Sequence, residues 1–70
     1  MFIRLTNEEG KHIYVNVEAI TFIGPYDGER LGGPYGTCRS VVLCRSFDER
    51  FHVQETPERV IELAQLSRQA

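Results

Sequence analysis

The stretch ETPERVIELAQLSRQA at residues 55–70 decides the fold, because it carries a complete helix signal in a chain otherwise built of strand-like segments. Thr56 is a favoured N-cap residue, and Pro57 falls at the first helical position, where its missing N–H leaves no hydrogen bond unmade. Glu58 in the first turn and Arg68 in the last both complement the helix dipole. The stretch therefore predicts a C-terminal helix that begins at Pro57.

The apolar positions of this helix predict which side faces the core. One stripe recurs at helical spacing, and two further residues are expected to widen it. The stripe comprises Val60, Leu63, Ala64 and Ser67, widened by Ile61 and Leu66. We expect the helix to lie across a sheet and to close the core.

The first half of the chain predicts a β-hairpin. Apolar and polar residues alternate in MFIRLT (1–6) and in KHIYVNV (11–17), and the polar cluster NEEG (7–10) separates them. Period-two alternation is typical of strands with one buried face, and a polar turn with glycine is typical of a hairpin. The residues expected to face inward are Ile3, Leu5, Ile13, Val15 and Val17.

The middle segments predict further strands. Asn16 is expected to cap a short helical turn, after which residues 20–23 resume an extended, β-branched and aromatic character. CRSVVLCR (38–45) contains a continuous apolar run at 41–43, which indicates a strand covered on both faces. A turn at SFDE (46–49) should lead into RFHVQ (50–54).

In this last strand, Phe51 and Val53 are expected to point inward. The sequence thus predicts a single domain over residues 1–70 of the α+β class. Its architecture would be a small antiparallel β-meander of four to five strands with one C-terminal α-helix packed on the sheet.

Length and charge limit the function classes. A chain of 70 residues buries only about 60% of its unfolded surface, which leaves little room for a catalytic cleft. The formal charge of −2 disfavours a general nucleic-acid binder. The absence of a signal peptide and of an apolar run near about 18 residues favours a cytoplasmic protein without membrane insertion.

The loop GPYDGERLGGPYG (24–36) contains five of the six glycines. It is no phosphate-binding loop, because Pro34 stands where the motif requires lysine and a strand follows instead of a helix. The simplest interpretation is a flexible connection, but a loop this long in a small domain is often functional. In that case the predicted partner-binding residues are Tyr26, Arg30, Leu31 and Tyr35.

Four further residues fall on the outward parity of the predicted strands and form a predicted exposed sheet face: Arg4, His12, Tyr14 and His52. The two histidines lack a third ligand at zinc-motif spacing, so no metal site is predicted. Cys44 and His52 could face each other across the last hairpin, but a buried cysteine is commonly a small apolar residue. We predict neither a catalytic residue nor a cofactor, and hence no enzyme.

The cysteines Cys38 and Cys44 fall six residues apart in one predicted strand. At about 3.3 Å per residue they would lie about 20 Å apart, which is too far for a disulfide. Asp48, Glu49 and Glu55 are interpreted as charges of the turn and of the capping region.

Three stretches share features with a known family. IRLTNEEGKHIYVN (3–16) is a hairpin whose strands end in Leu-Thr and Val-Asn, VNVEAITFI (15–23) follows it, and FHVQETPERVIEL (51–63) closes the chain with a strand and a helix start. Together they resemble the FlbD-like flagellar and swarming-motility proteins of bacteria. Residues 24–40 are longer and richer in glycine and proline than that family implies. The resemblance implies a bacterial, motility-associated role and carries no catalytic residues.

Three hypotheses of function follow. The first is a non-enzymatic interaction module that docks on an unidentified protein partner, with homodimer formation as one way to cover the unpaired sheet edges. The second is a nucleic-acid-associated regulator that uses the arginines 30, 39, 45 and 50. The third is a phage or mobile-element protein that covers the surface of a host protein.

Overall fold

The computed structural model describes residues 1–45, 48 and 50–68. This part of the chain contains five strands, a short helix and a longer C-terminal helix. They are β1 (Phe2–Thr6), β2 (His12–Asn16), β3 (Ile20–Pro25), α1 (Gly28–Leu31), β4 (Ser40–Cys44), β5 (Arg50–Val53) and α2 (Pro57–Arg68). Single 3-10 turns lie at Val17–Ala19 and Gly33–Tyr35. The predicted small α+β fold is confirmed.

The strands divide into two antiparallel sheets. One contains β1 and β2, and the other has the order β3-β4-β5. The division falls after β2, where the Asn16 side chain accepts a hydrogen bond from the Glu18 N–H at 3.1 Å and caps the 3-10 turn Val17–Ala19. This cap was predicted, and the turn carries the chain from one layer of the structure to the next.

The core lies between the two sheets and α2. Among the described residues, the buried hydrophobic positions are Ile3, Leu5, Val15, Val17, Cys38, Val42, Cys44, Val53 and Val60. The predicted inward residues of the hairpin are confirmed, with Ile13 half-buried at the margin of the cluster. Phe51 is likewise half-buried against the core, whereas Val53 is fully buried.

Helix α2 begins as predicted. The Thr56 hydroxyl accepts the Arg59 N–H at 3.2 Å, and the Thr56 carbonyl accepts the Val60 N–H at 3.0 Å. The stripe that meets the core is narrower than expected, because Ile61 and Leu66 are 45% and 53% exposed. The prediction that these two residues widen the buried stripe was wrong.

The turn between β1 and β2 is held by one side chain. The Asn7 Oδ1 atom accepts the backbone N–H groups of Glu9 and Lys11 at 3.0 and 2.9 Å. Gly10 has a φ of 81°, a conformation that favours glycine. The second predicted turn falls on Ser46, Phe47 and Glu49, which lie outside the described residues.

One junction connects the hairpin to the second sheet. Asn7 forms an isolated antiparallel bridge with Val53, and the Gln54 N–H donates to the Thr6 carbonyl at 2.8 Å. The Glu55 carboxylate accepts the Thr6 N–H at 2.9 Å and the Thr6 hydroxyl at 2.8 Å. Glu55 is therefore a tertiary contact, and the interpretation of its side chain as a capping-region charge was incomplete.

We predict that Glu55→Ala lowers the free energy of unfolding by about 1–3 kcal/mol, because it leaves two half-buried Thr6 donors without their acceptor. Glu55→Gln should lose less, since its amide oxygen can still accept one donor. Glu9→Ala is the control, because the exposed Glu9 side chain is paired with Lys11 at 4.0 Å, and an exposed ion pair contributes little to stability. Equal stability of the alanine variants in urea denaturation would contradict the prediction.

Candidate functional site

The middle strand of the three-stranded sheet has two different faces. Ser40, Val42 and Cys44 are buried in the core, whereas Val41 and Leu43 lie half-buried on the opposite face. This alternation explains the continuous apolar run at 41–43. The inner face is covered by the rest of the domain, but the outer face retains accessible apolar surface.

The neighbouring strands extend this outer face. Phe22 on β3 lies opposite Leu43, and its side chain is 52% exposed. On β5, His52 lies opposite Val41 and Arg50 lies opposite Leu43. Residues directly opposite on one face of antiparallel strands have their side chains in contact range. The register therefore places two aromatic rings and one cation around an aliphatic centre.

The loop after β3 adds two tyrosines to the same face. The Tyr35 ring stacks on His52 with centroids 3.9 Å apart and an interplanar angle of 15°. Tyr26 meets both rings edge-on, at 4.8 Å from His52 and 6.3 Å from Tyr35. We call the resulting surface the aromatic face; it comprises Phe22, Tyr26, Tyr35, Val41, Leu43, Arg50 and His52.

An open cavity of about 430 Å³ lies on the aromatic face. Phe22, Pro25 and Tyr26 line one side of it, and Leu43 and Arg50 line the other. Its walls are apolar and aromatic apart from the guanidinium. A hollow of this size and lining has room for an apolar side chain.

The loop that carries the tyrosines is folded. The Tyr26 N–H donates to the Arg39 carbonyl at 2.8 Å and the Gly28 N–H to the Cys38 carbonyl at 3.2 Å, so the loop is closed at its base. The Asp27 side chain caps α1. The interpretation of residues 24–36 as a flexible connection is therefore replaced by a helical turn and a 3-10 turn joined by backbone hydrogen bonds.

Gly28 is the residue that permits this packing. A Cβ atom at this position would lie 2.3 Å from the Tyr35 carbonyl oxygen and 2.6 Å from that of Cys38. Only glycine allows the backbone of α1 to approach the segment that carries Tyr35 so closely. Gly28 thus helps to hold the Tyr35 ring in its position on His52.

The predicted loop residues separate into two pairs. Tyr26 and Tyr35 lie on the aromatic face, in contact with each other and with His52. Arg30 and Leu31 lie on α1 instead. The Arg30 guanidinium is paired with Asp27, with 3.3 Å between Nε and Oδ2, and Leu31 is 58% exposed.

The four residues of the predicted exposed sheet face lie on two different sheets. Arg4, His12 and Tyr14 are exposed on the outer face of β1 and β2, where Arg4 lies opposite Tyr14. His52 belongs to the other sheet and is half-buried under Tyr35. Its outward parity was correct, but the division into two sheets separates it from the other three.

The four arginines of the nucleic-acid hypothesis are mostly engaged within the chain. Arg30 pairs with Asp27, and Arg39 pairs with Glu29, with 3.0 Å between Nη2 and Oε1. The Arg45 guanidinium donates to the Glu18 carbonyl. In the described part of the chain, Arg50 has no ion-pair partner, and it lies beside the apolar centre of the aromatic face.

Phe22, Leu43 and Arg50 were absent from the residues predicted to bind a partner. Period-two parity places Leu43 and Arg50 on the side of β4 and β5 opposite to the buried residues. On β3 parity is not sufficient, because the register shifts between Ile20 and Phe22 and the buried Gly24 shares the parity of Phe22. The register between the strands was needed to show that the three residues meet.

The cysteines offer no nucleophile on this face. Register places Val41 opposite His52, and Cys44 lies buried on the inner face, so Cys44 and His52 do not face each other. Cys44 is a buried apolar residue, as the sequence favoured. Burial raises the pKa of the Cys44 thiol, and burial together with the charge of Glu8 raises the pKa of Cys38. Over the described ranges, no group of three metal-ligating side chains occurs.

Neither family models nor curated proteins nor solved structures gave a match to this chain. The resemblance to the FlbD-like proteins therefore stays a prediction. Within residues 1–45, 48 and 50–68, no helix combines the length and the apolar character that crossing a bilayer requires.

We predict that Cys38 and Cys44 resist alkylation by iodoacetamide at pH 8 in the folded protein. A raised pKa keeps each thiol protonated, and the thiolate is the reactive form. Labelling should become fast in denaturant, and mass spectrometry of the quenched protein measures both rates. Rapid labelling of either cysteine under native conditions would contradict the assignment of both residues to the core.

We predict that Gly28→Ala destabilises the protein by about 1–3 kcal/mol, because the added methyl group forces two backbone carbonyls to move. Gly36→Ala is the matched control: its Cβ would meet nothing closer than 3.4 Å, and its φ of −60° suits alanine. Thermal unfolding measures the stability, and the ring-current shifts of His52 report the stack. Similar behaviour of the two variants would contradict the account of the loop.

Proposed function

We propose that this chain is a non-enzymatic interaction module that docks on a partner protein through the aromatic face. One observation carries the proposal: the β4 run and the loop tyrosines converge on one surface with Phe22, Arg50 and His52, which lie on the two flanking strands. Aromatic residues and arginine are enriched at the centres of protein interfaces.

The aromatic face is preorganised for binding. The rings of Tyr26, Tyr35 and His52 hold each other in place, so little side-chain entropy remains to be lost when a partner arrives. Phe22 differs, because this residue is 52% exposed to solvent. Burial of that ring in a complex supplies a favourable hydrophobic contribution.

The partner that we propose is a different protein and not a second copy docked face to face. The named residues of the aromatic face include a cation, Arg50, but no carboxylate, so two such faces would lack the complementary charge. As a family-level proposal, the partner belongs to a flagellar or motility assembly in the bacterial cytoplasm. If the chain is instead a phage protein that covers a host protein, we propose that it does so through the same aromatic face.

A nucleic-acid-associated regulator is the second candidate. The observation in its favour is a cation beside exposed rings, since aromatic platforms with arginine stack single-stranded bases. Against it stand the formal charge of −2 and the pairing of Arg30 and Arg39 with carboxylates. Phosphate binding depends on free cations and weakens steeply with salt.

The test is affinity capture of the tagged protein from its own host, with and without nuclease. We predict that Phe22→Ser and Tyr35→Ala each reduce the recovery of a specific protein set by about ten-fold, as expected for hot-spot residues. Ile61→Ser is the control, because it also replaces an exposed apolar residue, on α2 and outside the aromatic face. Circular dichroism confirms that each variant is folded.

Two results would contradict the proposal. Equal recovery by all three variants would remove the aromatic face from the interface. A protein set that disappears after nuclease treatment and at high salt would favour the nucleic-acid alternative. Motility components in the recovered set would support the family-level proposal, and their absence would limit the conclusion to protein docking.

A further inference from the structure

A second surface lies at the edge of β1 that faces away from β2. The Thr6 N–H donates to Glu55 and the Thr6 carbonyl accepts the Gln54 N–H, so both backbone groups of Thr6 point away from β2. In an antiparallel pair, the direction of these groups alternates from one residue to the next. The N–H and C=O groups of Arg4 and Phe2 therefore also point away from β2.

The odd positions confirm this alternation. The Asn7 N–H donates to the Lys11 carbonyl, and the Val17 N–H donates to the Met1 carbonyl, so these β1-side groups face β2. Within the described residues, strand β5 and Glu55 cover the outer edge of β1 only at Thr6 and Asn7. Between Phe2 and Arg4, the backbone groups that point away from β2 are therefore unpaired. We call this part of the β1 edge the half-edge.

This half-edge opens into a groove between β1 and α2 with a volume of about 480 Å³. Phe2 and Arg4 line its strand side, and Leu63, Leu66 and Ser67 line its helix side. Phe2 is 66% exposed and Leu66 is 53% exposed. The groove therefore combines free backbone donors and acceptors with apolar walls, which are the two components that strand addition uses.

The Glu55 carboxylate covers one end of this edge. It binds the Thr6 N–H at 2.9 Å, where the carbonyl of an additional strand would otherwise bind. The other oxygen of this carboxylate accepts the Thr6 hydroxyl, so both Glu55 oxygens are hydrogen-bonded. Natural sheets often protect their edges with charged side chains. Here the protection ends at Thr6 and leaves Phe2 and Arg4 open.

Arg4 is the unpaired cation of the groove. It is exposed and has no ion-pair partner in the part of the chain that the structure describes. Arg59 is paired with Glu62 on α2. In the described part of the chain, Glu55 accepts hydrogen bonds from the neutral donors of Thr6 and forms no ion pair with Arg4. A carboxylate brought by a ligand would therefore complement Arg4 without displacing an existing ion pair.

We propose that this edge binds an extended peptide segment of a partner protein as an added strand, in which acidic and apolar residues alternate. The peptide backbone pairs with Phe2 and Arg4, its apolar residues lie over Leu63 and Leu66, and an acidic residue lies beside Arg4. A second copy is the weaker occupant, because β1 has the sequence FIRLT and brings no carboxylate to its own Arg4. The proposal is independent of the aromatic face.

The probes are two blocked peptides, acetyl-VEVEV-amide and acetyl-VKVKV-amide, titrated into the ¹⁵N-labelled protein. We predict that the acidic peptide shifts the amide signals of Phe2 and Arg4 and slows their hydrogen exchange. Hydrogen exchange on the aromatic face should not change. The basic peptide should bind at least about three-fold more weakly, the size expected for one exposed charge pair.

Variants of Arg4 test whether the acidic peptide binds through its charge or through nonspecific hydrophobic contact. Arg4→Gln should abolish the preference for the acidic peptide, and Arg4→Glu should reverse it, whereas Arg30→Gln should leave it unchanged. Failure of both peptides to bind at millimolar concentration would overturn the proposal. So would protection of the Phe2 and Arg4 amides that rises with protein concentration in the absence of peptide, because this would assign the edge to a second copy.

Discussion

The whole structure depends on the contact between the end of β1 and the residues that follow β5. Glu55 receives both donors of Thr6, its own carbonyl accepts the Ser40 hydroxyl at 2.6 Å, and Gln54 reaches the Asn7 carbonyl with its side chain. These bonds join the hairpin to the three-stranded sheet immediately before α2 begins. Together with the shared core, they fix how the two-stranded and the three-stranded sheet meet, and a two-stranded hairpin alone is at best marginally stable in water.

This junction also determines which residues are exposed on the two candidate surfaces. Strand β5 is held in register between β4 and the hairpin, so Val53 points into the core and His52 points outward. Tyr35 can then stack on His52 because Gly28 lets the loop close tightly. On the opposite side, the same junction covers only the last part of β1. Both candidate surfaces thus follow from where the hairpin and the sheet are joined, which is why both occur in so short a chain.

The sequence predicted the elements whose signals are local. The α2 cap at Thr56 and the Asn16 cap need only neighbouring residues, and both were correct. The division into two sheets and the bonds of Glu55 were missed, because they join residues 49 positions apart and leave no local pattern. Tyr26 and Tyr35 were selected from composition, whereas Phe22 required the strand register. Ile61 and Leu66 were placed inside by periodicity, but the small sheets cover only a narrow stripe of the helix.

Photo-crosslinking in the living host tests the central claim, that the aromatic face is where a partner protein docks. Phe22 is replaced by p-benzoylphenylalanine in one strain and Ile61 in another, since both side chains are apolar and comparably exposed. The account predicts that irradiation yields a discrete protein adduct from position 22 and none of that size from position 61. No adduct at position 22, or the same adduct from both positions, would contradict the claim.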